Sequence, residues 1–364
     1  MNWAPKSLAS DLQVVLDQYD LGDLVDYRRD LRGTVNTNFV IVVEEGGIRN
    51  KYFLRCYKES VLPVEIVFEH SLIRHLISQG FSIVARVHST RSGNTYLKHK
   101  SENDPQTRYF AVYDYLPGED KYTWISPRCT LQEIRSAAQT LAQFHAAVKD
   151  FIPSGYRCEP VIIDLLPGIL EFIRGSEKIS KKSEFDRYLY THREFLTAQI
   201  ENITHILRNN LPSGLPKIVI HCDYHPGNLK FQSEKVVGLV DFDWSKMDLR
   251  VFDVGLAIWY FFTEWSPDFD GSLRMDEVSV FLSAYQGYLK ENDMIPPLMS
   301  AELEFLPVFI QAANFYVLNW ALQDYHKKTV DAKEYLIYLR HGVNFSRWCQ
   351  DKNLFDLINL SLRA

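Results

Sequence analysis

Paired cysteines are missing from this chain. Its five, Cys56, Cys129, Cys158, Cys222 and Cys349, are scattered, odd in number and nowhere spaced as Cys-x-x-Cys. That pattern argues against a disulfide framework or a zinc site and fits a reducing compartment. Long apolar runs are also lacking: nothing approaches eighteen uninterrupted apolar residues, and even Val254–Phe262 is too short to span a bilayer. The first residues, Met-Asn-Trp-Ala-Pro-Lys, hold no basic start before an apolar stretch, so no secretory signal is expected. No basic surplus exists either, since 40 Lys and Arg face 46 Asp and Glu for a net charge of −6. A broad surface for nucleic acid or anionic membrane is therefore not expected. Internal repeats and low-complexity segments are absent. These absences describe a cytoplasmic globular protein with neither nucleic acid nor membrane as partner, and leave its oligomeric state open.

What is present is enough chain for more than one core. With 364 residues, 46% hydrophobic and 24% charged, two lobes are expected. After an N-terminal helix over Leu8–Tyr19 and the start of a strand, Asn38–Glu44 and Lys51–Tyr57 flank Glu45-Gly46-Gly47, a hairpin pattern. Ile66–Gln79 carries apolar residues at helical spacing and stops at Gly80. Thr95–Lys98 and Arg108–Tyr115 read as further strands, and Leu116-Pro117-Gly118-Glu119 breaks the pattern. Helical periodicity then covers Leu131–Phe151, Ile169–Ile179, Arg187–Asn209, Phe252–Trp265, Val278–Asn292 and Leu303–Tyr325, with two shorter helices in the last forty residues. A β-rich first third and a helical remainder give an α+β reading, with lobes of residues 1–115 and 116–364.

The chemistry is concentrated in His221-Cys222-Asp223-Tyr224-His225-Pro226-Gly227-Asn228 and, thirteen residues on, Asp241-Phe242-Asp243. Lys217–His221 reads as a strand into a loop, Asn228–Phe231 as another strand, Gln232–Lys235 as a turn and Val236–Val240 as the return. Adjacent strands lie about 4.8 Å apart, so such a hairpin brings Asp241 beside Asn228, within reach of one ion. An amide oxygen and a carboxylate suit magnesium. Asp223, on the loop between, is placed to accept a proton from an attacking hydroxyl. Taken singly, each of these residues is also ordinary turn material, and Asp-x-Asp pairs often only solvate a strand end. The ordered set is what points to chemistry.

That set resembles the catalytic loop and metal segment of the aminoglycoside phosphotransferase/choline kinase superfamily, which shares the protein-kinase-like fold. Its members typically show His-Gly-Asp-x-His-x-x-Asn followed by Asp-Phe/Trp-Asp/Glu; here Cys222 replaces the glycine. The resemblance implies a two-lobe fold with a small antiparallel sheet and a larger helical lobe, using ATP and Mg2+. It implies Asp223 as catalytic base, Asn228 and Asp241 as metal ligands on the nucleotide, and Asp243 as a further metal or charge-balancing residue. Phe252-Asp253-Val254-Gly255 is similar to the family's helix start, whose Asp braces the loop; as an isolated residue Asp253 also reads as a helix cap. Leu141-Ala142-Gln143-Phe144-His145 matches a packing helix. Gly33-Thr34-Val35-Asn36-Thr37-Asn38-Phe39 stands where the phosphate-covering loop belongs, without Gly-x-Gly-x-x-Gly. Arg55 stands where a lysine on the α- and β-phosphates is expected, with Lys58 as its alternative. Glu69, or else Glu65, is the helix carboxylate that would orient it; an ordinary solvated ion pair is the plainer reading. The nucleotide base is expected against Ala111–Leu116, near the backbone of Tyr113 and Tyr115.

Ile-His-Cys-Asp-Tyr-His-Pro-Gly-Asn-Leu, Asp-Phe-Asp-Trp and Tyr338-Leu339-Arg340-His341-Gly342 are most similar to the homoserine kinase type II and stress-response-kinase branch. The function expected is transfer of the γ-phosphate to a hydroxyl of a small molecule, an amino alcohol or homoserine-like hydroxy amino acid. A serine/threonine protein kinase and a non-catalytic member of the fold are the alternatives. Trp259, Tyr260, Trp265, Phe315, Tyr316 and Trp320 read either as core or as an aromatic wall for an ammonium group.

Overall fold

The computed structural model describes residues 6–31, 35–100, 106–176, 183–326 and 330–361. The chain divides into two compact units: residues 1–118, 151–157 and 238–240 form the first, and the remainder forms the second. Of the expected phosphate-covering loop, Gly33 and Thr34 lie outside the described residues.

In the first unit, α1 (Lys6–Leu16) precedes an antiparallel sheet of β1 (Asp23–Asp30), β2 (Thr37–Glu45), β3 (Ile48–Cys56), β4 (Leu97–Lys100) and β5 (Thr107–Asp114), ordered β1-β2-β3-β5-β4. The β2–β3 turn is Gly46-Gly47, both at positive φ, the conformation that a two-residue hairpin needs. Strand alternation sorts the two faces. Phe39, Ile41, Val43, Leu54, Cys56, Phe110 and Val112 pack with Leu12, Val15 and Leu16 of α1 in one core. Arg55, registered between Asn38 and Ala111, and Tyr113, registered with Phe53, fall on the opposite face. Helix α2 (Pro63–Ser78) starts with Pro63 and the Glu65 carboxylate accepting from the Leu62 N–H. It ends on Gly80 at φ 80°, where Phe81 N–H reaches the Leu76 carbonyl and Gly80 N–H that of Ile77. That doubly bonded left-handed stop is why the helix ends at the glycine.

The second unit is mostly helical: α3 (Leu131–Ala147), α4 (Ile162–Gly175), α5 (Glu184–Asn209), α6 (Arg250–Phe262), α7 (Met275–Asn292), α8 (Ser300–His326), α9 (Ala332–Lys352) and α10 (Leu354–Ser361). Thr130 and Glu133 cap α3 reciprocally, each accepting from the other's backbone N–H. Strand β6 (Lys217–Ile220) pairs antiparallel with β9 (Lys246–Leu249), and β7 (Leu229–Gln232) with β8 (Lys235–Leu239). Helix α8 is apolar and long enough by composition to cross a bilayer, yet its most apolar stretch is 83% buried inside the protein. Its apolar surface is spent on packing.

Several boundaries differ from the periodicity, for identifiable reasons. The periodicity starts α4 at Ile169, two residues after Pro167, which the helix in fact contains. The helix instead begins at Ile162, whose N–H is held by the buried Asp248 carboxylate at 2.8 Å. That cap comes from 86 residues away and leaves no local trace. Strand β9 was absent from the periodicity, and α9, expected to be short, runs 21 residues. Gly255 on α6 lies so close to α8 that a Cβ there would meet Phe309 C at 3.0 Å and Ile310 N at 3.1 Å. Gly255→Val should therefore destabilise the protein by about 1–3 kcal/mol, read as a lower denaturation midpoint; an unchanged midpoint would refute this account of the α6–α8 approach.

Candidate active site

Strand β6 delivers the chain into a loop whose geometry is set from α6. The backbone N–H groups of His221 and Cys222 donate to Asp253 Oδ2 and Oδ1, both at 2.9 Å. His145 Nε2 lies 3.0 Å from the same Oδ2, and its Nδ1 lies 2.7 Å from the Tyr285 hydroxyl. Asp253 and His145 are fully buried. Burial pushes the His145 pKa down against the pull of Asp253. A neutral ring that donates from Nε2 and accepts at Nδ1 satisfies every partner. The carboxylate of Asp253 thus holds the loop rather than capping its own helix. Cys222 takes a left-handed φ of 62°, a conformation that favours glycine. The His221 ring is buried among Phe144, Tyr224 and Phe242, so it serves packing.

Asp223 follows, half-buried. Asn228 Nδ2 donates to both the Asp223 carbonyl and Oδ2, each at 2.9 Å. His225 Nε2 stands 3.6 Å from Oδ2, and His225 Nδ1 accepts the Gly227 N–H at 3.0 Å. The second bond fixes the tautomer, since a ring nitrogen that accepts carries no proton. His225 therefore presents its N–H to Asp223. Burial raises the Asp223 carboxyl, but His225 beside it, then His221 and the Tyr260 hydroxyl, outweigh burial and hold it below the ordinary aspartate value. Asp223 is a carboxylate at neutral pH.

The hairpin β7–β8 begins just after Asn228 and ends just before Asp241. Asp241 itself is left-handed, φ 68° and ψ 67°, and opens a single 3-10 turn, Phe242–Trp244. Phe242 is buried against His221, Asp241 is half-buried and Asp243 is 5% exposed. Asn228 has its amide nitrogen committed to Asp223, which leaves Oδ1 as the atom that could ligate a cation. Among the described residues no three His, Cys, Asp or Glu converge on a closed metal cage. Magnesium commonly takes only one or two protein oxygens and keeps phosphate and water for the rest. An amide oxygen and one or two carboxylates fit it in kind and number.

Arg55, Glu69 and Tyr113 come together in the first unit. Arg55 Nη1 is 3.2 Å from Glu69 Oε1, and both residues are buried, so this is no solvated surface pair. The hydroxyls of Tyr57 and Tyr113 donate to Glu69 at 2.9 and 3.2 Å, and His70 Nε2 lies 3.0 and 2.9 Å from the same hydroxyls. Glu65 is otherwise engaged, capping α2 and facing Arg157 at 3.7 Å. Tyr115 is not in this group; its ring sits under Lys51. Tyr57 and His70 were missed from sequence, although Tyr57 lies two residues beyond Arg55 and so shares its face.

The aromatic residues of the second unit divide. Trp259 and Phe315 are core, 2% and 1% exposed. Trp265 and Trp320 are half-buried and surround Trp124, whose ring lies 5.3 and 6.1 Å from theirs, 4.7 Å from Tyr338 and 6.3 Å from Tyr260. Tyr260 in turn lies 5.1 Å from His225. Trp124 had no sequence signal; it stands in a loop far from its partners in the chain. Tyr316 donates to Glu159, which is also bonded by the buried Lys246 at 2.7 Å beneath the loop. Asp253→Ala would strand two loop N–H groups and the His145 ring without an acceptor. It should cost about 3–5 kcal/mol in denaturant unfolding, and a loss below 1 kcal/mol would contradict its role as the brace.

Comparison with known proteins identifies the family and the fold. The profile of the family APH, phosphotransferase enzyme family, matches residues 26–278, well over half of the chain. A homoserine kinase of Afipia carboxidovorans is 26% identical over 317 residues, covering 87% of this chain and 85% of the relative. Among solved structures, a microcompartment-associated aminopropanol kinase aligns with a TM-score of 0.68 at 16% identity, covering 96% of this chain and 99% of that one. An amicoumacin kinase in complex with AMP-PNP and Ca2+ aligns at 0.67 with 18% identity, covering 98% and 100%. The expected α+β, protein-kinase-like architecture is the one these enzymes share. The chain belongs to the phosphotransferase enzyme family and is an ATP-dependent kinase acting on an alcohol.

Proposed function

We propose that this kinase phosphorylates the hydroxyl of a small amino alcohol or hydroxy amino acid of about homoserine size, with Asp223 as the catalytic base. The observation that carries the reading is the environment of Asp223: pinned through Asn228, faced by the His225 N–H, and held ionised. Asp223 takes the proton of the acceptor hydroxyl as that oxygen bonds the γ-phosphorus of ATP and the bond from that phosphorus to the β–γ bridging oxygen breaks, with ADP as the leaving group. Asn228 has two jobs, its nitrogen orienting the base and its oxygen joining Asp241 as a magnesium ligand, with Asp243 adding charge beside them. When bound, magnesium neutralises phosphate oxygens as charge develops on them. Arg55 grips the α- and β-phosphates, and Glu69 with its two tyrosines keeps the guanidinium aimed. A guanidinium suits both tasks because its fork bonds a carboxylate and a phosphate oxygen at once. The backbone near Tyr113 and Tyr115 receives the nucleotide base.

The half-buried aromatic cluster around Trp124, next to Tyr260 and His225, supports an acceptor that carries an ammonium group, since aromatic faces attract cations. The similar proteins described above, a homoserine kinase and an aminopropanol kinase, support the same class. An ATP-consumption screen over homoserine, aminopropanol, ethanolamine, choline, hydroxylysine, simple sugars and a generic protein should show turnover with an amino alcohol or hydroxy amino acid. Turnover on sugars or protein alone would overturn the assignment. Asp223→Asn should lower kcat by about 10²–10⁴ while ATP affinity stays within a few-fold; retained turnover would remove Asp223 from its role. Because His225 is the largest influence lowering the Asp223 pKa, His225→Gln should move the acid limb of kcat/KM to higher pH, and an unmoved limb would count against that coupling.

A further inference from the structure

Helix α2 presents a second stripe away from Arg55. Val67, His70, Ser71, Arg74 and His75 lie at helical spacing along one wall of a cavity of about 360 Å³, closed on the other side by Thr95 and the segment Phe151–Ser154. Its size is at the lower end of small-molecule sites. The cavity is built rather than incidental. Ser71 Oγ donates to the Phe68 carbonyl at 2.9 Å, lies 3.2 Å from the Ser154 carbonyl and accepts the Ser154 N–H at 3.2 Å. Gly155, at φ 82°, lets that segment approach so closely that a Cβ would meet the Val64 carbonyl at 2.3 Å. The lining brings one guanidinium and two imidazoles together and, among the described residues, holds no Asp or Glu. Phe151, ring to ring with His75 at 4.8 Å, supplies an apolar flank.

We propose that this cavity binds a small organic anion, a carboxylate or phosphate on an apolar body, and that its occupancy tunes the grip of Arg55. The charged head meets Arg74, an exposed residue whose guanidinium makes a long 3.4 Å contact with Ser89 Oγ. The apolar body lies on Phe151 and Val67. His70 connects the cavity to the interior: its ring lines the wall, while its Nε2 touches the hydroxyls of Tyr57 and Tyr113, which donate to Glu69, which pairs with Arg55. His70 and Glu69 are neighbours on α2, so a shift of one moves the other. Binding stands on the cavity alone; the tuning rests on Arg55 holding nucleotide as proposed above.

The two parts separate in one calorimetric experiment on the full chain. Benzoate and phenyl phosphate are titrated without nucleotide, with benzyl alcohol as the uncharged control. At least one anion should bind saturably, benzyl alcohol should not, and Arg74→Gln, on an exposed helical position, should weaken binding tenfold or more. The tighter anion identifies carboxylate or phosphate as the head group. No anion binding, or binding unchanged in Arg74→Gln, overturns the site. Saturating anion should change the Kd of AMP-PNP several-fold in the native chain and leave it unchanged in Arg74→Gln. An unchanged Kd overturns the tuning, and a Kd that climbs without limit shows competition at the nucleotide site and overturns both. A failure of the catalytic proposal would leave the anion titrations as they stand.

Discussion

The carboxylate of Asp253 is removed from water entirely and accepts from two loop N–H groups and one imidazole. Burying a polar group without such partners costs on the order of several kcal/mol, a large share of a folded protein's net stability. The loop therefore has one conformation in which this carboxylate keeps its partners, and that conformation includes the left-handed Cys222. From there the direction of Asp223 is no longer a free choice of the chain. Asn228 and His225 refine a position that α6 has already imposed.

The first unit solves a related problem in another way. A buried guanidinium and carboxylate are surrounded by three further polar groups, so neither charge depends on water. Such a network holds only when complete. Every member adds rigidity, and every member is also a point at which the network can be disturbed. A lysine would present a single ammonium in place of the planar fork, so the surrounding tyrosines belong to the arginine and would fit a lysine poorly.

What could be read from the sequence was what is local. Spacing within His221–Asn228 and the short return to Asp241 encode a loop and hairpin in under twenty-five residues, and both formed as the residues suggest. Gly80 and the Gly46-Gly47 turn announced themselves because only a few residues tolerate positive φ. Hidden elements were those stabilised from afar. Helix α4 starts where Asp248 holds it, β9 exists because β6 offers an edge, and Trp124 finds its aromatic neighbours up to 214 positions away at Tyr338. Asp253 was legible only as either cap or brace, because one residue type serves both and only the fold shows which N–H groups it meets.

Cys222 carries one more implication. Its thiol is 1% exposed and burial drives its pKa well above the ordinary range, so it stays protonated and shielded while the loop is seated. An alkylating reagent reaches that sulfur only when the backbone around it leaves Asp253. Cys222, at a φ of 62° that favours glycine, is thus a built-in clock for the loop, its rate of modification counting how often the segment lets go.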